Sequence, residues 1–398
     1  MRWPTVKRWD LGMSAVRWKD HASNSERAVC KGGGMSGFMT IRESLAGLNP
    51  RQLRQACTME RVASWENLFA AAALARRGKS RRPDVERWWQ DREGELRRIR
   101  EELMGGTWQP GGYRVFTIRE PKVREIAAAP FRDRVVHHAL CRWMGPVLER
   151  RFIARSFSCQ VGKGTTAARE ACRALVNRHT HVLKCDVRKF YPSLDHGVLM
   201  EKLDRWIACP GVRELVRRIV GSFATGSGIP VQWFPGDDLL AGTRPRGLPI
   251  GNLTSQLWGN FYLDDMDHAL VEGERHGAYV RYTDDFLLFG DDRRELWRLR
   301  GRVEEELARV RLKLAVPKSR LLATREGVPF CGFLFRPGLA PRVIGATKRR
   351  FHGRLRGLIG QRRIREASSL VRAWFAFSME GNSLGLRRGL GRPGARRV

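Results

Sequence analysis

An α+β fold, with short antiparallel strands flanked by helices, is predicted by three features of the sequence. Residues 278–290 form two apolar, aromatic and β-branched runs parted by Thr283-Asp284-Asp285, the pattern of a hairpin with a polar turn. Residues 182–187 (ending on Asp186 and Val187) and the compact apolar run 330–335 read as further strands. Against these, Trp65, Leu68, Phe69, Val85, Trp88, Trp89, Leu96, Ile99 and Leu103 recur at three- and four-residue steps, which is helical spacing.

Taken in order, residues 1–62 mix Arg, Lys, Ser and Gly without a sustained period and predict a flexible basic leader, or a start codon placed too early. The helical pattern runs from Ser64 until Gly105-Gly106 stops it. Gly78-Lys79-Ser80 is no phosphate loop, because Ala73 stands where the upstream Gly is required and no strand precedes it. Residues 111–131 alternate and carry Pro121 and Pro130, predicting short strands, and 132–148 are helical. Gly162-Lys163-Gly164-Thr165-Thr166 is a turn into a helix whose first amides could hold a phosphate.

After the strand that ends on Asp186, helical residues continue to about Val220, and a Gly/Pro-rich loop fills 222–246. The segment 247–256 (Gly247-Leu248-Pro249-Ile250-Gly251-Asn252-Leu253-Thr254-Ser255-Gln256) then turns directly into an apolar helix, so its amides face whatever lies at the helix start. Beyond the Asp-Asp hairpin, 293–314 predicts an amphipathic helix and 316–319 a turn. From Pro341 onward fifteen Lys/Arg stand against two Glu, a net of +13, on helical apolar spacing through Leu370, Val371, Trp374 and Phe375.

Composition narrows the partner. In 398 residues, 74 Lys and Arg against 41 Asp and Glu leave +33, which holds a protein near a polyanion. Thirteen Trp and eighteen Phe add the stacking surface that RNA and single strands need. The eight Cys form no Cys-x-x-Cys pair, which argues against a zinc site and for reduced thiols. No apolar run approaches the roughly 18–20 residues of a membrane span, and no signal peptide is apparent, so a cytoplasmic location is expected.

Alone, Asp284-Asp285 reads first as a solvated turn. Adjacent carboxylates repel unless a cation neutralises them, and an acid ending an apolar strand, as Asp186 does, is costly to bury uncompensated. Together, a strand-end Asp, a Gly- and hydroxyl-rich helix start and a double-Asp hairpin about a hundred residues on are what two-metal phosphoryl transfer requires.

The order and spacing of these motifs resemble those of reverse transcriptases. Asp186 with Tyr191 five residues later, Leu-Pro-x-Gly-x-x-x-Ser, Tyr282-Thr283-Asp284-Asp285, Lys318 and the Phe-x-Gly strand follow one another as in that family, over about residues 65–386. The resemblance implies a right-hand polymerase: fingers with the start of the palm over 63–180, palm over 181–337 including the loop 222–246, a short helical thumb over 338–386 and a disordered basic tail over 387–398. It implies Asp186, Asp284, Asp285 and the Val187 carbonyl as ligands of two Mg²⁺ ions, with Mn²⁺ as the alternative. Tyr191 would be the steric gate against a ribose 2′-hydroxyl. Lys122 and Arg124 would grip the deoxynucleoside triphosphate, and Ile250, Gly251, Ser255 and Gln256 would line its site. Lys318 would protonate leaving pyrophosphate, and Phe330, Cys331, Gly332 and Phe333 would form the primer grip.

Within the family, Ile250-Gly251-x-x-x-Ser255-Gln256 resembles the enzymes of diversity-generating retroelements, whereas group II intron, retron and retroviral enzymes usually carry Gln where Ile250 stands. That resemblance implies error-prone cDNA synthesis from a template RNA, an RNA/cDNA heteroduplex as product and a small basic accessory protein as partner. Two rival readings are a reverse transcriptase of another bacterial element, antiphage or retron-like, and a catalytically idle RNA-binding scaffold.

Overall fold

The computed structural model describes residues 40–118, 123–226 and 230–383. Most of the expected leader, the expected tail and Lys122 lie outside the described residues.

Residues 40–62 are not a flexible leader. They fold into three short helices, Ile41–Leu45, Pro50–Ala56 and Met59–Val62. Thr40 with Glu43 and Asn49 with Gln52 each close a capping box, and Pro50 sits in the first helical turn, where its missing N–H costs nothing. Leu45, Leu53 and Ala56 cluster with Val147 of the long helix Phe131–Glu149.

That long helix is the spine of the first half. Trp65–Arg76 lies along it, placing Leu68, Ala71, Ala72 and Ala75 in one core with Val135, Val136, Ala139 and Leu140. Asn67 splices the two. Its Nδ2 donates to the carbonyls of Val62 (2.8 Å) and Ala139 (3.0 Å), and its Oδ1 accepts from Arg142 (2.8 Å). The helical run ending at Gly105 is broken into three, Trp65–Arg76, Pro83–Gln90 and Arg92–Met104: Gly78 (φ 68°) and Pro83 mark the first break, and Asp91, off helical geometry at φ −107° and ψ 35°, marks the second. The alternating stretch forms the hairpin β1 (Arg114–Ile118) and β2 (Arg124–Ala128), with Arg114 opposite Ala128.

A four-stranded antiparallel sheet occupies the middle, in the order β4-β5-β3-β6, from β3 (His181–Asp186), β4 (Tyr279–Tyr282), β5 (Asp285–Gly290) and β6 (Arg320–Ala323). Both faces are buried. Leu183, Cys185, Tyr279, Phe286 and Leu288 join the core shared with helices Leu253–Tyr262 and Arg293–Arg309. Val182, Val280, Leu287 and Phe289 join a second core with the helix Thr165–Val176. Strand β6 had no counterpart in the sequence reading. The helix expected to reach Leu314 stops at Arg309, and Leu314 instead forms an antiparallel bridge with Val187.

The run 330–335 is a hairpin rather than one strand. Cys331 (φ 42°) and Gly332 (φ 85°) make a two-residue turn between β7 (Val328–Phe330) and β8 (Phe333–Phe335), and both positive φ values suit the twist of the paired strands. Strand β9 (Arg342–Val343) completes that sheet. The basic helices Gly345–Gly360 and Ile364–Ser378 follow, joined by Phe351 stacked on Trp374 at 4.2 Å. The stretch 232–244 of the loop is bolted down: Arg311 clasps Asp237 (2.7 and 2.8 Å), Arg244 clasps Asp195 (2.6 and 2.8 Å) and Gln232 reaches Ser193 (2.8 Å). Among the described residues, no helix is long and apolar enough to cross a membrane.

Candidate functional site

The sheet register brings three carboxylates to one end of the sheet. Asp186 ends β3 directly opposite Asp285, the first residue of β5, and residues opposite each other in an antiparallel pair share a face. Thr283-Asp284 is the turn, one residue shorter than the Thr-Asp-Asp reading, with Thr283 at φ 59°. The Val187 N–H donates to the Asp284 carbonyl at 3.3 Å, tying the turn to the end of β3.

Electrostatics at this corner are those of acids short of positive charge. Burial, then the nearby Asp186, push the Asp284 carboxyl up to about 6. Burial also raises Asp285, opposed by its ion pair with Lys184. Lys318, on the single turn Val316–Lys318, is ion-paired with Asp186. Two ammonium groups therefore stand at the carboxylates, while Asp284 keeps a like-charge penalty. An all-oxygen acid set of this kind suits a hard divalent cation. Among the described residues, no three His, Cys, Asp or Glu side chains are already gathered as a metal cage.

Tyr191 lies beside the acids, its phenol shifted upward by burial and by Asp284 among other neighbours. Its ring packs on Gly259 of the helix Leu253–Tyr262, where a Cβ would come within 3.1 Å of Tyr191 Cε1 and 3.2 Å of Phe190 Cε1. The Tyr191 carbonyl accepts from the Leu248 N–H at 2.9 Å, so residue 191 and the segment 247–256 are placed together. Gly251 (φ 114°) is exposed, and its missing Cβ would lie 3.6 Å from Ile126 on β2. The finger-like hairpin thus leans over the Ile250-Gly251 loop, with Arg124 within electrostatic reach of Tyr191. Tyr113, just before β1, meets Ser222 Oγ at 3.0 Å and accepts from Asn252 Nδ2 at 3.4 Å.

Three expectations change here. Ser255 is 1% exposed and faces the interior, so it does not line an accessible site, whereas Gln256 is half-buried. Phe330 and Phe333 are core residues, 1% and 0% exposed, which leaves the Cys331-Gly332 turn as the accessible part of the expected primer grip. At the helix start after Gly164, Thr166 Oγ1 donates to Glu380 (3.1 Å) and Arg169 pairs with the same acid, while Lys163 Nζ is spent on the carbonyls of Ile153, Ala154 and Ser156. Glu380 thus already engages the hydroxyl of Thr166 and the guanidinium of Arg169 near that helix start.

Two contributors escaped the sequence reading. Lys184 stands two residues before Asp186, so strand alternation puts both on one face, a signal that was present. The segment 155–160 runs parallel to β4 through the Ser156–Arg281 bridge and sets Ser158 Oγ 2.8 Å from Thr283 Oγ1. Cys159 then lies 3.8 Å from Gln256 Oε1. The Ser156–Arg281 and Ser158–Thr283 pairings each span 125 residues of chain and left no local pattern to read.

Comparison with known proteins gives the family. Residues 118–335 match the family model described as reverse transcriptase (RNA-dependent DNA polymerase), and the match covers more than half of the chain. The chain belongs to the reverse transcriptase family, whose domains work with divalent metal ions. Among solved structures it is similar to a chain of a partial Cas6-RT-Cas1–Cas2 complex, at 20% identity and a TM-score of 0.37, over 66% of this chain and 44% of that one. It is also similar to telomerase from Candida albicans in complex with a TWJ fragment of telomeric RNA, at 14% identity and a TM-score of 0.42, over 66% of this chain and 50% of that one. The chain spans half or less of the length of these structures. No curated protein matches it.

Proposed function

We propose that this chain synthesises cDNA on an RNA template and is the error-prone reverse transcriptase of a diversity-generating retroelement. The observation that carries the polymerase reading is the register of Asp186 against Asp285, with Asp284 in the adjoining turn. In this reading residues 40–180 are the fingers with the start of the palm, 181–337 the palm and 338–386 the thumb. Asp186 and Asp284 would hold divalent ions, Mg²⁺ by preference, with the Val187 carbonyl, and Asp285 is the third carboxylate. Bound there, such ions supply charge neutralisation at the attacking primer hydroxyl and the leaving pyrophosphate.

The chain's own residues do the rest. Tyr191 is wedged against the Gly259 helix and cannot retreat, so it excludes a nucleotide bearing a 2′-hydroxyl. Arg124, with Lys122, meets the triphosphate of the incoming deoxynucleotide. Lys318 carries a proton on Nζ beside Asp186, where it can be passed to pyrophosphate. The Cys331-Gly332 turn touches the primer end, and the basic helices after Gly345 track the RNA/cDNA backbone without reading sequence.

The retroelement type rests on the sequence Ile250 to Gln256, in which Ile250 is half-buried and Gly251 exposed beneath β2. An aliphatic side chain at 250 offers no hydrogen bond near the nascent pair, and loss of polar discrimination lowers fidelity. A basic accessory protein that holds the template RNA is the partner this reading requires. Primer extension on a defined RNA, followed by sequencing, tests it. Ile250→Gln is expected to reduce misincorporation opposite template adenine severalfold at unchanged yield. An identical error spectrum in the variant would remove the fidelity argument.

A further inference from the structure

We infer that Arg281, acting through a buried ion pair with Asp267, is the residue that fixes the position of the Thr283-Asp284 turn. This rests on the reading of Asp284 given above.

Arg281 and Asp267 are both 0% exposed, as is Asn260. A guanidinium has five N–H donors in a fixed fork, and here all five are matched. Nε donates to Asp267 Oδ1 at 2.7 Å, and Nη2 donates to Asp267 Oδ2 and to the Asn260 carbonyl (3.2 Å). Nη1 donates to Asn260 Oδ1 at 2.8 Å and to the Thr283 carbonyl at 3.1 Å. Tyr279 OH completes the shell of Asp267 at 2.8 Å.

The same cluster reaches the turn from a second side. Asn260 Nδ2 donates to the Ser158 carbonyl at 3.0 Å, and Ser158 Oγ meets Thr283 Oγ1 at 2.8 Å. The main chain of Arg281 is clamped as well, its N–H on the Arg155 carbonyl and its carbonyl on the Phe157 N–H, each at 3.0 Å. Thr283, held at its carbonyl and its hydroxyl, sits at φ 59°, a conformation a β-branched residue adopts only when its surroundings impose it.

Stability alone does not explain a charged pair at this depth. Apolar residues of similar volume serve a core as well as a buried ion pair, and often better. What they cannot supply is the hydrogen bond to the Thr283 carbonyl, next to the carboxylate whose placement decides the chemistry. Lysine cannot supply it either while also holding Asp267 in two places, because it lacks the planar fork. Arg281 is thus a positioning residue.

The decisive comparison is the triple variant Arg281→Met/Asp267→Leu/Tyr279→Phe with the full-length wild type in one primer-extension assay. The variant is expected to remain folded and to bind template–primer and deoxynucleotide normally, with KM within about twofold. Its kcat is expected to fall about 10- to 100-fold, the scale at which small misplacement acts, and Arg281→Lys is expected not to restore it. A folded variant with wild-type kcat, or one whose template–primer binding falls as much as kcat, overturns the inference. If the triple variant does not fold, Asp267→Asn, which preserves shape, decides. Lower kcat at unchanged KM supports the proposal, and unchanged kcat refutes it. Absence of incorporation by the wild type would instead count against the reading of Asp284.

Discussion

Asp284 and Asp285 are chain neighbours with different surroundings. Asp285 faces Lys184 across the sheet, whereas Asp284 sits on the turn with Asp186 as the neighbour that most raises it after burial. The difference makes Asp284 the carboxylate with most to gain from an added cation. His268 is a simpler titrating group, remote from the three acids. The negative charge of Asp264, 3.6 Å from Nε2, reinforced by Glu272 (2.9 Å from Nδ1) and by the Arg151 carbonyl (2.8 Å from Nε2), raises its pKa to about 9. The folded value lies above the unfolded one of about 6.5, so the protonated ring favours the fold. That contribution, on the order of 1–3 kcal/mol, is complete below about pH 6.5 and is lost as pH rises through about 9. Denaturation of wild type and His268→Gln at pH 6 and pH 9.5 should show a stability gap at the lower pH that closes at the higher. A gap independent of pH would show that the ring is not charged in the fold.

At the scale of elements, caps decide what periodicity cannot. The helices between Ile41 and Val62 are four to seven residues long, too short for an apolar repeat to register, yet Thr40, Asn49 and Thr58 each accept from a backbone N–H three residues on. Asn49→Ala is expected to cost about 1 kcal/mol, measured by urea denaturation, and a value near zero would mean this region is not docked on Phe131–Glu149. The hairpin of β4 and β5 was legible because alternating apolar residues flank polar turn residues. The β7 and β8 hairpin was not, since Cys331 looks like strand and only Gly332 marks the break. Burial of Ser255 follows from the helix face it occupies, which a motif match does not report. The acids, Tyr191 and the Ile250 loop were readable as a set because the proposed chemistry asks for all of them in one place, while the Arg281 cluster was hidden because its partners come from three separate segments.

Across the whole molecule, charge is distributed to suit a polyanion. A net +33 with a strongly basic C-terminal helical pair predicts binding dominated by phosphate contacts. If six or more phosphates are contacted, affinity for an RNA/DNA hybrid should fall about a thousandfold or more between 50 and 200 mM salt. A shallow, salt-insensitive isotherm would contradict the assignment of the basic helices to the nucleic-acid backbone. The sheet, its two cores and the helices around it then serve to bring Asp186, Asp284 and Asp285 together against their mutual repulsion. The most direct test of that claim is RNA-templated deoxynucleotide incorporation by Asp284→Asn, checked for an unchanged fold. The account predicts loss of metal-dependent synthesis by about a hundred- to a thousandfold, in keeping with the loss of a group that stabilises developing charge. Incorporation at the wild-type rate would contradict it.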